Sequence, residues 1–236
     1  MKKIFSYSKD RPFYLNVIFC ILCFLGLFLF SSIVYLLLKP IIHNENVITI
    51  IANLLFCLFL YLLYFKDLNK EFKDYFKDFK SNFKLSLKYY ALGIMGMVFF
   101  NIIIMIFLKD VSQNENQVRE LLFSSPFYTM ISISILAPLS EELIFRKSLQ
   151  PVIKNKWIYV ITCGVLFGGA HILTNVISNT FVLTDLFYIL PYGSLGASFA
   201  LMDNETKTTF SSIMIHALHN TCTALLLLAM YFGGNL

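Results

Sequence analysis

The chain has 236 residues, of which 58% are hydrophobic and only 14% charged, with 25 phenylalanines and a formal net charge of +5. A soluble domain carries about 25% charged residues, so this chain cannot cover its own surface with polar groups and is expected to be an integral membrane protein. Its long apolar runs show no strand alternation, which argues against a transmembrane barrel and for an all-α fold.

At roughly 20 apolar residues per span, the length suits a single membrane domain, a polytopic bundle of seven or eight transmembrane helices. The candidate spans are 13–38, 47–65, 90–108, 127–150 (interrupted), 157–174, 181–201 and 210–232. The N-terminus begins with basic residues like a secretory signal, but its apolar run is about 26 residues long and shows no small-residue cleavage site. It is expected to be an uncleaved first span. Cys20 and Cys23 within it form a CxxC. Because all five cysteines fall in apolar runs, this pair reads as small apolar residues rather than a redox or metal pair.

Segment 66–88, "KDLNKEFKDYFKDFKSNFKLSLK", differs in kind. Leu68, Phe72, Tyr75, Phe76, Phe79, Phe83 and Leu87 recur at three- and four-residue steps, with Lys70, Lys73, Lys77, Lys80 and Lys84 between them. The pattern predicts an amphipathic interfacial helix lying on an anionic lipid surface. Glu71, Asp74 and Asp78 dilute the charge, so no nucleic-acid partner is expected. With a cytoplasmic N-terminus, 16 of the 19 basic residues fall on the inside, Lys2 and Lys3 among them. Seven spans place the C-terminus outside; eight return it to the inside. Residues 1–110 thus hold N-terminal spans and the interfacial helix, and residues 127–232 the candidate catalytic core.

Ionisable groups inside spans are costly and mark functional candidates. They concentrate in the second half: Glu141, Glu142 and Arg146, then His171, then His216 and His219 with Asn220. The first three spans offer little beyond Asn101. Glu142 and Arg146 stand at i and i+4 and can pair, while Glu141 is turned about 100° away and stays free. Pro138 is expected to kink this helix. Phe167 and His171 bracket Gly168, Gly169 and Ala170, small residues that permit close helix approach. His216 and Asn220 are one turn apart. His219 lies on a nearby face, open to the site or to packing. A carboxylate, two imidazoles and an amide suit water activation by Glu141 as general base and stabilisation of an oxyanion. No serine or cysteine is paired with a base, so no covalent nucleophile is expected. One condition concerns depth. His171 lies roughly 20 Å along its helix from the inner face, so the segment with Glu141 must run on within the membrane through Ile153, with Arg146 in a polar cavity.

These residues resemble the signature of the CPBP family of intramembrane proteases, which includes the CAAX prenyl proteases and the bacteriocin-processing or self-immunity (Abi) proteins. The matches are Glu141-Glu142-x-x-x-Arg146, Phe167-x-x-x-His171 and His216-x-x-x-Asn220, with "PYGSLGASFA" (Gly193, Gly196) resembling the family's small-residue element. The resemblance covers about residues 127–230. It implies that Glu141 and His171 activate water and that His216 and Asn220 bind the oxyanion, with Glu142, Arg146 and Phe167 in support. It further implies a glutamic endopeptidase without cofactor, the other form being a zinc enzyme with Glu141, His171 and His216 as ligands. The expected activity is cleavage of a peptide bond near the cytoplasmic leaflet of a bacterial cell membrane. The substrates would be peptides or membrane proteins, as in bacteriocin or signal-peptide maturation or self-immunity. The alternative is a non-catalytic regulator or immunity protein that binds a partner such as a sensor kinase. A proton-coupled transporter is disfavoured because no internal repeat is visible.

Overall fold

The computed structural model describes residues 6–109, 111–177 and 179–234; Lys2 and Lys3 of the charge argument lie outside them. Eight principal helices follow one another among the described residues: α1 (Phe13–Leu38), α2 (Glu45–Lys77), α3 (Phe79–Leu108), α4 (Gln113–Ser124), α5 (Pro126–Lys147), α6 (Lys156–Ile177), α7 (Ile189–Thr206) and α8 (Phe210–Phe232). No strand interrupts them among these residues. Six helices, all but α4 and α7, are long and apolar enough to cross a membrane. The fold is an all-helical membrane bundle, built to satisfy backbone polar groups internally where lipid offers none.

The chain start is fastened to the middle of α2. Ser8 donates through its backbone N–H (3.0 Å) and its hydroxyl (2.8 Å) to Asp67, and Asn16 donates to the Ser8 carbonyl at 2.9 Å. Arg11 lies over the rings of Phe19 and Tyr64 and donates to the Leu63 carbonyl at 2.9 Å. That carbonyl adjoins the one non-helical residue inside α2, Tyr64, at φ −123° and ψ 15°. The apolar half of α2 therefore gives way to its charged half at a stapled irregularity.

The expected amphipathic helix over 66–88 is not a single helix. It divides at Asp78 (φ −118°, ψ 38°), its first part ending α2 and its second opening α3. The aromatic stripe survives the break, because Phe72, Phe76, Phe79 and Phe83 contact one another in succession, with ring centroids 4.7, 5.9 and 5.5 Å apart. The period of the stripe was visible in sequence, but Asp78 falls on the polar face, where its departure from helical geometry leaves the periodicity intact.

The expected span 181–201 is also displaced. Residues Leu183–Tyr188 form a 3₁₀ turn, closed by Asp185 accepting from the Val182 N–H at 3.0 Å, and α7 follows, ending at Lys207 in left-handed geometry. α7 packs between α6 and α3. It carries Asp203, which protein surrounds in place of lipid, and in its last turn the exposed Glu205, paired with Lys156. Its approach to α6 depends on glycine. A Cβ on Gly168 would meet the Ile189 carbonyl oxygen at 2.5 Å, and one on Gly196 would meet the Phe167 Cβ at 2.8 Å.

Candidate active site

α5 carries the glutamates and is not uniformly wound. Residues Ser132–Leu136 and Leu143–Lys147 are π-helical turns on either side of the short α-helical stretch Ala137–Glu142. Pro138 has no N–H to give the carbonyl four residues back, and the widened turn before it accommodates the ring. The looser turns present carbonyls that side chains from neighbouring helices take up. Asn220 donates to Ile133 O at 2.8 Å, the Cys57 thiol to Leu136 O at 3.5 Å and the Cys163 thiol to Phe145 O at 2.9 Å. Two of the five cysteines thus act as donors to carbonyls inside the bundle.

The predicted pair forms: Arg146 Nη1 stands 3.1 Å from Glu142 Oε1, and both side chains are fully buried. Arg146 does not reach a polar cavity, contrary to expectation. Its guanidinium lies over the rings of Phe167 (4.6 Å) and Phe199 (5.3 Å) and donates to the Gly196 carbonyl at 3.0 Å. Cation–π contact and a carbonyl serve where water does not reach. Glu142 makes a second contact across the bundle, 2.8 Å from His216 Nδ1. A carboxylate there accepts from Nδ1–H and turns Nε2 the other way, toward Glu141, whose Oε2 is 3.9 Å from it. Glu141 keeps 23% of its side chain exposed, and its Oε2 has no hydrogen-bonding partner among the described residues.

His171 is oriented separately. Its Nδ1 is 2.8 Å from the Phe167 carbonyl, which can only accept, so Nδ1 carries the hydrogen and Nε2 is left for other partners. Its ring stacks on Tyr192 with centroids 4.2 Å apart and planes at 19°. His216 lies against Phe199 at 5.0 Å. His219 meets Tyr90 at 3.0 Å.

Glu141, His171, His216, His219 and Asn220 all line one cavity of about 510 Å³. It runs from Glu141 and His216 past Asn101, Met105 and Leu227 to Ser112, Asn114 and Glu115 at the start of α4. It therefore occupies the half of the bundle nearer α4, whereas the sequence reading placed cleavage by the lysine-rich end. That other end is filled by a buried polar layer. Lys147 pairs with Glu71, Glu71 accepts from Thr209 N at 3.0 Å, and Asp203 accepts from Tyr159 (2.7 Å) and Thr209 (2.8 Å). After Lys147 the chain continues in turns, with Ile153 N bonded to Leu149 O at 2.9 Å, and Ser148 and Leu149 are buried within the bundle.

The sequence motifs thus converge on one cavity, with His219 beside them. Spacing could not show that Glu142 orients His216, that Tyr192 and Phe199 hold the imidazoles, or that one Asn220 hydrogen goes to Ile133. No three His, Cys, Asp or Glu side chains among the described residues are grouped as a zinc site would group them.

Residues 123–222 match the family model "Type II CAAX prenyl endopeptidase Rce1-like". The chain is also similar to YdiL of Bacillus subtilis (strain 168), provisionally named a membrane peptidase. The two are 26% identical over 139 residues, which are 58% of this chain and 46% of YdiL. The chain therefore spans about half the length of that relative. No solved structure matches it. The family match spans 100 of the 236 residues and takes in Glu141, Arg146, His171, His216 and Asn220.

Proposed function

We propose, from the premise of a chain whose residues 123–222 match the CAAX-type endopeptidases, that this protein hydrolyses a peptide bond inside the membrane by direct attack of water. The observation that carries the reading is the arrangement of Glu141 and His216. An unpartnered carboxylate oxygen stands 3.9 Å from an imidazole whose far nitrogen is held by a second, fully buried carboxylate. Glu141 takes a proton from water as the oxygen attacks the carbonyl carbon, and His171, with Nε2 free to accept, assists. The oxyanion receives hydrogen bonds from His216 through Nε2 and from the second amide hydrogen of Asn220. Collapse breaks the C–N bond, and the proton held by Glu141 passes to the departing amine. No step is routed through a metal.

The same reading places the N-terminus in the cytoplasm, with exposed Phe72, Phe76 and Phe79 among lysines at an anionic leaflet. The cavity then lies in the extracytoplasmic half, suited to peptides or membrane-protein segments presented there, such as leader or signal peptides. The test compares the peptides of cells carrying the wild-type chain with those carrying Glu141→Ala, followed by cleavage of the differing peptide with purified protein. Wild-type protein should cut it and Glu141→Ala should not. Equal turnover by the two would refute the mechanism, and full cellular function of Glu141→Ala would favour a binding role.

A further inference from the structure

We infer that Tyr192 is a positioning residue that ties the His171 imidazole to the N-terminus of α4; the inference rests on the hydrolytic reading of His171. Two restraints act on that imidazole. The Phe167 carbonyl at 2.8 Å fixes which nitrogen bears the hydrogen, and the Tyr192 ring, nearly parallel at 4.2 Å, fixes the plane. The phenol of Tyr192 is not left to the cavity. Its oxygen is 2.7 Å from the Ser112 hydroxyl and accepts from Asn114 Nδ2 at 3.4 Å. Ser112 is at the same time the N-cap of α4, accepting from the Glu115 N–H at 3.1 Å. One buried hydroxyl therefore joins the cap of α4 to the ring beneath His171.

α4 also walls the cavity, through Glu115, Val118 and Leu122. A helix that borders the space a substrate would fill is thus bonded to the side chain that flattens a candidate catalytic imidazole. Displacement of α4 breaks the Ser112–Tyr192 contact and frees Tyr192 to turn. Seating of α4 restores both. The stack and the tie are separable chemically, because phenylalanine keeps the ring and loses the oxygen.

The experiment uses the full chain in detergent micelles, with two readouts. Hydrogen–deuterium exchange needs no substrate: Tyr192→Phe should speed exchange over residues 112–119 by about fivefold, the scale of one lost hydrogen bond. Turnover of the peptide found by the comparison above is the second. Tyr192→Phe, which loses the tie and keeps the ring, should lower kcat by about fivefold, and Tyr192→Leu, which loses both, by up to about 10²-fold, each with KM little changed. Unchanged exchange in Tyr192→Phe overturns the tie. Parental kcat in Tyr192→Leu overturns the positioning, as does a loss of kcat in both variants that follows their melting temperatures. A parent chain that cleaves nothing while Tyr192→Phe loosens α4 refutes hydrolysis and leaves the tie standing.

Discussion

Adjacent glutamates on one helix have opposite fates because a residue's angle decides its company. Glu142 faces inward to Arg146 and His216 with no exposed surface, and Glu141 faces the cavity with 23% of its side chain exposed. Two substitutions of the same kind should therefore separate cleanly. Glu141→Gln should lower turnover by about 10²–10⁴-fold, the scale of a lost general base, with the melting temperature nearly unchanged. Glu142→Gln should destabilise the fold by about 3–5 kcal/mol, the cost of leaving a buried partner charge uncompensated; chemical denaturation in micelles measures it. Comparable destabilisation by both would contradict the division of labour. The pairing of Glu142 with Arg146 was legible in the i, i+4 spacing. Its bond to His216 was not, because residues 74 positions apart meet only through the packing of α5 on α8.

Helices here owe their positions to what they lack as much as to what they carry. Where Gly168 has no side chain, α7 comes close enough for the Ile189 carbonyl to occupy the space of a Cβ. Gly168→Ala should force α6 and α7 apart and cost about 1–3 kcal/mol, as overpacking does. A lower melting temperature, with faster exchange over 189–199, is the expected result; an unchanged melt would show that the contact yields freely. α5 makes the complementary point. Its π turns loosen carbonyls, and thiols and an amide on three other helices meet them. Apolar runs read as cysteine-bearing lipid faces in sequence because a thiol's hydrogen-bonding partner has no local spacing to betray it. The ends of α7 escaped for a related reason: Phe181, Val182 and Leu183 look like membrane, but Asp185 closes a turn and starts the helix later. By contrast, α1 and α8 run over the expected residues, since continuous apolar length alone specifies them.

Across the molecule, apolar side chains cover much of the outside, and the buried ionisable groups of the bundle fall mainly into two tiers. Glu141, His171 and His216 make the first, beside open volume. Lys147, Glu71, Asp67 and Asp203 make the second, beyond them and away from α4. Concentration of ionisable residues in the second half of the sequence announced the first tier. The second drew Asp67 and Glu71 from a segment whose lysines pointed to the surface, and only the fold brings Glu71 beneath α8. A cell membrane must hold its voltage, however, and any protein that admits water deep into the lipid core risks short-circuiting it. The interlocked layer of Lys147, Glu71, Asp203 and Thr209 fills that path with side chains bonded to one another, and we expect it to serve as the dielectric of this device, denying water a continuous file from the cavity to the far side. Vesicles bearing the wild-type chain should keep an imposed proton gradient, and Lys147→Ala should let it decay faster. Identical decay in the two would relieve the layer of that duty.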